Sequence, residues 1–521
     1  MAFQFQINSD VEFIRDRSLL KKARSLSPVL HECKVDHPEV VDLIKDPSKL
    51  EGVGISKSDY PLDRPMKKGD TMILDFKDHW VGTFSIDIAS VGSPMDAPLY
   101  LRLRFAEVAA ELSHESSEYD GWLSKSWIQE EYIHLDVLPC RLELPRRYAF
   151  RFVEIKVMDT SPKWSAVFSN PEVVSYSSAN IHAFERETFE DSQLQKIYDV
   201  GLKTLADCMQ DVFEDGPKRD RRLWLGDLRL QALANYASFN DRDLVKRCLY
   251  LFGAMRANDG RIVANVFIQP QETPDDTFLF DYSIFFISTL YDYWNQFKDQ
   301  EAFDDLFEVA QNQMDVILSH VDEKGKFFQD ENYPVFVDWS NDFDKTSAGQ
   351  AIILYGLKQF IELAKIQGRD TACYEEQLQN MIQYAMEELY DSETHLFKTK
   401  EKEFNIASQV WMVLADFLPK QEQKAIMEAM CETLFPIHGI ATPYMYSHIV
   451  EALFQSGLDQ EAIDLMKSYW GKMIELGADT FWEAFDPNQP DYSPYGSPII
   501  SSYCHAWSCT PVYLMKKYLS K

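Results

Sequence analysis

The 521-residue chain has no apolar run approaching the ~20 residues that a membrane-spanning helix needs, which argues against a helical membrane span. Its N-terminal stretch, MAFQFQINSDVEFIRDRSLLKK, lacks the basic start, apolar middle and small-residue cleavage site of a secretory leader, so a cytoplasmic location is expected. Cysteine is sparse. The eight residues at 33, 140, 208, 248, 373, 431, 504 and 509 form no CxxC pair and no dense framework, a pattern that fits free thiols in a reducing compartment. Positive charge is also short: 52 Lys and Arg against 83 Asp and Glu leave a net of −31. Such a field repels phosphate backbones and anionic lipid surfaces, so nucleic acid and membrane are poor partners, whereas neutral ligands such as sugars are not excluded.

What the chain does have is core-forming material, 45% hydrophobic and 13% aromatic residues, which excludes global disorder. The length favours two or three domains. Hydrophobic periodicity changes near residue 180. Before it, Met72–Phe76, Thr83–Ile88, Leu99–Phe105, Ile133–Val137 and Tyr148–Val157 alternate apolar and polar positions with period two, as strands of a half-buried antiparallel sheet do. Turn chemistry between them (Val91-Gly92-Ser93-Pro94, Leu144-Pro145) suits a β-sandwich. The first 60 or so residues, broken at Asp46-Pro47-Ser48 and Tyr60-Pro61-Leu62, are expected to be loop and edge material, giving a β domain over 1–180.

Beyond Ser178 the period becomes 3.6. Asp191–Phe213 aligns Leu194, Ile197, Tyr198, Leu202, Leu205, Met209 and Val212 on one face. Similar patterns recur at Leu223–Ser238, Asp243–Met255, Asp281–Phe297, Ala302–Val321, Ser347–Ile366, Ala372–Leu389, Ser408–Phe417, Gln421–Leu434, Tyr444–Gln455, Gln460–Leu476 and Ser501–Tyr518. Twelve helices with almost no strand signal between them predict six αα-hairpins closed in a ring, an (α/α)6 barrel over 186–521. No internal repeat is visible, so a closed ring is preferred to a solenoid.

In a ring, helix ends on one face build the pocket, so chemistry is sought at helix boundaries. The richest is Glu214–Asp227 (EDGPKRDRRLWLGD), with four carboxylates, four bases and a Trp around a Gly-Pro break. A charge run is ordinarily a solvated loop knit by its own ion pairs. This one also offers an apolar plate and a glycine for close approach, as a sugar site requires. In Gly477–Glu483 (GADTFWE), Glu483 follows Trp482 and a Phe outside any helix, where apolar rings would raise its pKa; a buried aromatic corner is the plainer reading. Ser502–Trp507 (SYCHAW) places His505 near the last helix, where a capping or core role is commoner. Phe336–Ser340 (FVDWS), with Asp338 and Trp339, and Phe280-Asp281-Tyr282 each precede a helix and are individually weak.

Together these segments resemble the α-L-rhamnosidase family of inverting glycoside hydrolases. The match rests on DGPKRDRRLWLGD (Asp215–Asp227), supported by DTFWE (Asp479–Glu483), SYCHAW, VDWS and TPYMY (Thr442–Tyr446), and spans roughly residues 186–521. The preceding sandwich is also like the family's β domain. The resemblance implies a cofactor-free, metal-free enzyme that removes terminal α-L-rhamnose from glycosides or oligosaccharides. By position it makes Asp220 the general acid, where the family usually has Glu, and Glu483 the general base. Asp215, Arg219, Trp224, Asp227 and His505 then hold the sugar, Trp339 is a wall aromatic, and Asp281, Asp338 and Trp482 are further substrate-binding candidates. A carbohydrate-binding protein with a weakened acid, and a glycosidase of different sugar specificity, stay open as alternatives. A polysaccharide lyase is disfavoured because the motifs are carboxylate-rich and not basic. Whether the chain is a homo-oligomer is left open.

Overall fold

The computed structural model describes residues 8, 10–181, 183–400 and 403–520. Eight of the first 22 residues, and both outer limits of the expected domains, lie outside them. No described helix is long and apolar enough to cross a membrane.

Nine antiparallel strands form the first unit: β2 His31–Val35, β3 Glu39–Lys45, β4 Val53–Lys57, β5 Thr71–Gly92, β6 Leu99–Ala106, β7 Glu130–Leu135, β8 Cys140–Glu143, β9 Tyr148–Asp159 and β10 Trp164–Ser177. The 22-residue β5 changes partners along its length, pairing with β3 and β9 in its first half and with β8 and β10 in its second. The sheet thereby wraps around one core, in which Leu74, Phe84, Ile86, Leu101, Phe150, Ile155 and Phe168 are buried. Alternation along β5 and β9 made both strands legible. Within the first 60 residues, expected to be loop and edge material, β2 and β4 lie at edges of the sheet and β3 joins β4 to β5; all three are short and mostly half-buried or exposed, so burial leaves little imprint on their sequence.

The opening residues belong physically to the helical side. Asp16 caps α1 Arg17–Ser25, accepting from Ser18 N (2.8 Å) and Leu19 N (3.1 Å). The helix buries Leu19, Leu20 and Ala23 against the outer face of the helical unit, while β1 Phe13–Arg15 pairs with Met255–Ala257 (β12) there.

Helices α2 Ser192–Cys208, α3 Leu225–Tyr236, α4 Arg242–Ala254, α5 Phe280–Phe297, α6 Gln300–Leu318, α7 Thr346–Ile366, α8 Ala372–Tyr384, α9 Ile406–Leu414, α10 Lys420–Leu434, α11 Pro443–Gln455, α12 Asp459–Glu475 and α13 Pro511–Tyr518 follow. Each odd-numbered helix from α3 to α13 packs on the next odd-numbered one, and α13 returns to α3, closing an inner ring among the described residues. Inner helices are buried nearly all round: every residue of α9 and all but one of α11 are inaccessible. The outer helices bury less of their surface, except α4, which α1 covers so that Leu244 to Ala254 are all buried. This is the expected barrel, with a correction at each end. Leu223 and Trp224 form a two-residue strand, so α3 starts later than its apolar pattern, and only Pro511–Tyr518 of the last predicted helix is α-helical. Residues 501–510 stay irregular because their backbone groups are spent on neighbouring loops: Ala506 N donates to Asp215 O (2.7 Å) and His505 N to Phe481 O (2.9 Å).

The inner ring is tight where it lacks side chains. A Cβ on Gly356 of α7 would overlap Ile284 Cγ2 of α5. Gly356→Ala gains about 1 kcal/mol of helix propensity, but overpacking costs about 1–3 kcal/mol, so urea unfolding followed by circular dichroism should show a net loss. Combining it with Ile284→Ala should cost less than the sum of the two single changes by about 1 kcal/mol; simple additivity would show that the two helices do not meet as described.

Candidate active site

The inner helices begin on one face of the ring, and the segments leading into them carry the predicted residues. A cavity of about 300 Å³ opens there, lined by Asp215, Arg219, Asp220, Arg222, Trp224, Asp227, Asp275, Asp276, Leu279, Tyr282, Phe336, Trp339, Glu483, Tyr495, His505 and Trp507. Residues Trp122, Leu123, Ser124 and Trp127 of the β domain complete its wall.

Asp215 organises the first motif. Its carboxylate accepts from Asp220 N (3.1 Å) and Arg222 N (3.0 Å), curling the loop back on itself so that Asp220 and Arg222 both border the cavity. Gly216 lies where a Cβ would come within 2.5 Å of Arg219 O and 2.8 Å of Ser502 Oγ, so the turn demands glycine. Arg219, 2% exposed, donates from Nη2 to Glu483 Oε2 (2.6 Å) and from Nε to Ile500 O (2.7 Å). Its Nη1 lies 3.8 Å from Asp220 Oδ1. A single guanidinium therefore stands between the two carboxylates assigned as acid and base. Tyr495 donates its hydroxyl to Glu483 Oε1, and its ring centroid lies 3.9 Å from the Arg219 guanidinium carbon. Both Glu483 oxygens are thus oriented by donors, while Glu483 O accepts from Trp507 Nε1 (2.9 Å).

On the other wall, His505 Nε2 lies 3.2 Å from Asp227 Oδ1 in a pair with almost no solvent contact. Trp224, Tyr282, Phe336 and Trp339 make an edge-to-face aromatic surface, with Phe336 meeting Trp339 at 5.7 Å and Tyr282 at 5.8 Å, and Trp507 stacks on Phe336 at 6.0 Å. Trp224 Nε1 and His505 Nδ1 are buried with no hydrogen-bond partner among the described residues. Buried polar atoms left unmet cost about 1–3 kcal/mol each, a cost that a hydroxylated ligand removes.

Charge at the site is arranged by burial and by crowding of carboxylates. Burial, reinforced by Asp220 and Asp227, pushes Asp215 up to about 7. Burial and Glu483 raise Asp227. For His505, burial opposes the charge, but the bond to Asp227 and the fields of Glu483 and Asp215 outweigh it and raise the ring to about 9. The surrounding acids thus favour the charged form of the His505 ring, while burial lets Asp215 and Asp227 keep their protons to higher pH than usual.

Three predicted substrate contacts are placed elsewhere. Asp281 is fully buried and accepts from Phe336 N and Val337 N (both 3.0 Å), pinning the loop before α7. Asp338 accepts from Ala441 N (3.1 Å), Ser340 N (2.9 Å) and the Thr442 hydroxyl, tying that loop to the start of α11. Trp482 packs edge-on against Phe485 and Tyr503 beneath the cavity. All three shape the wall from behind. Tyr495 and the β-domain residues went unrecognised; the run Pro494-Tyr495-Gly496 reads as an ordinary turn, and Trp122 belongs to a long irregular connection.

His79, Asp207 and Cys504 approach one another closely enough to hold a metal ion. The Lys203 ammonium already donates to both Asp207 oxygens (2.7 and 2.6 Å), and His79 bonds Asp207 (2.7 Å) and Glu107 (3.1 Å). A cation is thus built into this cluster, whose geometry fits a junction between the two units.

Residues 37–175 match the model of the glycosyl hydrolase family 78 α-rhamnosidase N-terminal domain, and residues 187–519 match that of the bacterial α-L-rhamnosidase six-hairpin glycosidase domain. The chain belongs to the α-L-rhamnosidases of family 78. As a member it is a glycosidase of two units, an antiparallel β domain followed by the helical ring. A rhamnosidase from Klebsiella oxytoca with rhamnose bound is 41% identical, with a TM-score of 0.94 over 98% of this chain and 100% of that one. The family 78 rhamnosidase of Bacillus sp. GL1 shares the fold at 17% identity (TM-score 0.72, 88% of this chain and 48% of that one). That of Streptomyces avermitilis complexed with L-rhamnose does so at 16% (TM-score 0.66, 94% and 44%). Among curated proteins no sequence match is found.

The His505 charge carries a pH signature. Its pKa in the folded protein exceeds the ordinary 6.5, so its contribution to stability is complete below about 6.5 and disappears as pH rises through about 9. Asp215 acts in the same sense at lower pH, retaining in the fold a proton that the unfolded chain has released. The melting temperature should therefore fall from about pH 6 to about pH 9.5, and His505→Gln should flatten that decline. Parallel slopes in the two proteins would show that His505 is uncharged at neutral pH.

Proposed function

We propose that this α-L-rhamnosidase family member removes terminal α-L-rhamnose from uncharged glycosides with inversion at the anomeric carbon. The observation that carries the reading is the Glu483–Arg219–Asp220 arrangement. Two carboxyl groups meet the two ends of one guanidinium and both border the same cavity, as an acid and a base acting on one bound sugar must. The rhamnose-bound relative at 41% identity supports the choice of sugar.

In this reading Asp220, the more exposed of the pair, protonates the glycosidic oxygen while Glu483 accepts a proton from a water attacking the opposite face. One C–O bond forms as another breaks, with the two proton transfers balancing. Asp215, Asp227 and His505 take the ring hydroxyls, because an imidazolium beside crowded acids offers both donors and acceptors. Trp224, Trp339 and Trp507 cover the C–H face and the deoxy methyl group, which favours a 6-deoxy sugar over one with a polar sixth position. Positive ends of the inner helices point at this mouth, a field that helps hold the anionic base.

Glu483→Gln keeps size and hydrogen bonding but accepts no proton, so turnover should fall ~10²-fold or more with rhamnose binding retained. Asp220→Asn should instead lose most on alkyl rhamnosides and least on nitrophenyl rhamnosides, whose leaving group departs with little protonation. Turnover on both substrates, chromatographic detection of the anomer first released, and melting temperature test the assignment. An active, destabilised Glu483→Gln would overturn it, as would first release of the α-anomer.

A further inference from the structure

The β domain reaches the cavity through one long connection, residues 107–129 between β6 and β7. Its tip is seated on the helical unit. Tyr119 and Ile128 are buried with Tyr495, Ile499 and Ile500, and Leu123 N donates to the Tyr119 hydroxyl (3.2 Å). Trp122 Nε1 donates to Pro494 O (3.4 Å), and its ring lies 5.5 Å from that of Tyr495. Gly121 makes the seat possible, since a Cβ there would come within 2.5 Å of Tyr495 O. This is a built arm, packed on the very tyrosine that orients Glu483.

Position gives it a task. Glu483 and Asp215 are deeply buried, whereas the side chain of Asp220 keeps 21% of its surface open. A leaving group must depart from the acid that protonates it, and so from the open side of the cavity. Among the aromatic residues of the lining Trp122 is the exposed one, at 38%, and so marks the open side, with the partly buried Leu123 and Trp127 in the same lining. A single exposed Trp on a surface needs no explanation; one held at the rim of a sugar cavity by a buried seat is a plate for a ring. With Asp275 and Asp276 the lining carries six carboxyl groups against Arg219, Arg222 and His505, a balance that opposes an anionic occupant.

Building on the function proposed above, we infer that Trp122, with Leu123 and Trp127, forms the leaving-group subsite, and that this subsite takes an uncharged group with a flat apolar face. Such a face belongs equally to an aromatic aglycone and to the C–H side of a neutral pyranose. A uronate is excluded by charge.

The full-length protein and its Trp122→Ala and Trp122→Phe variants should be assayed on four α-L-rhamnosides carrying methyl, naphthyl, glucosyl and galacturonosyl leaving groups. Comparing each variant with wild type on the same substrate cancels intrinsic leaving-group reactivity. Trp122→Ala should lower kcat/KM about tenfold on the naphthyl substrate, the glucosyl substrate or both, chiefly through KM. The loss on the methyl rhamnoside should be at least about fivefold smaller, and Phe should restore most of it. Which of the two large groups responds tells an aromatic aglycone from a sugar. Wild type should also prefer the glucosyl to the galacturonosyl substrate by about tenfold or more. Equal losses on all substrates would overturn the subsite, since Trp122 would then act only through Tyr495 and Glu483. Indifference of every substrate to Trp122→Ala, or efficient cleavage of the galacturonosyl substrate, would overturn it too. A wild-type protein inert on every rhamnoside, methyl included, would instead overturn the functional proposal and this inference with it.

Discussion

A guanidinium held out of water is tolerated only when its charge and donors are met, and Arg219 meets them with groups from four separate stretches of chain. Its own loop contributes Asp220, the segment after α12 contributes Glu483, the following turn contributes the face of Tyr495, and the approach to α13 contributes Ile500 O. None of these stretches is held there by regular secondary structure. The ring of inner helices brings their ends to one mouth, but the buried cation fixes how they meet. Removing it would leave Glu483 buried without its positive partner, a loss of about 3–5 kcal/mol for buried pairs in general, and would release the proposed acid and base together. The proposed catalytic arrangement and the packing of that face are consequently the same set of contacts.

Beneath that centre lies a layer of carboxylates with no reacting partner to serve. Asp281 and Asp338 spend their oxygens on backbone N–H groups of the loops before α7 and α11. A carboxylate that accepts two or three such bonds holds a loop in one shape as a helix cap holds a first turn. The aromatic wall of Phe336 and Trp339 stands where it does because these acids clamp the chain behind it. The cavity thus depends on buried acids twice, in its lining and one step behind it.

Much of this was legible in the sequence because function and fold leave different marks. The barrel was readable from helices whose apolar residues recur every third or fourth position, and the site from the dense mixture of acids, bases and Trp between Asp215 and Asp227. Asp281, Asp338 and Trp482 were read as ligand contacts because an acid or a Trp at a helix boundary looks the same from sequence whether it faces a ligand or a backbone amide. Tyr495 and Trp122 left no pattern at all, since Tyr495 reaches Glu483 across an irregular loop and Trp122 matters through a neighbour hundreds of residues away. Strands β2 to β4 were obscured by exposure, and the irregular run 501–510 by apolar residues buried through loop contacts and not through helical spacing.

The short pairing of Phe13–Arg15 with Met255–Ala257, together with the seat of α1 on α4, bears on how the chain reaches its native state. These contacts join segments roughly 240 residues apart. At synthesis rates of about 5–20 residues per second, the first segment emerges on the order of ten seconds or more before its docking surface exists. Over that interval Leu19 and Leu20 have no native neighbours on the helical ring, and the nine-stranded domain can close without them. These residues are therefore obliged to wait for α4 and β12, and close as a clasp across a β domain that follows them in the chain but leaves the ribosome before their partner does.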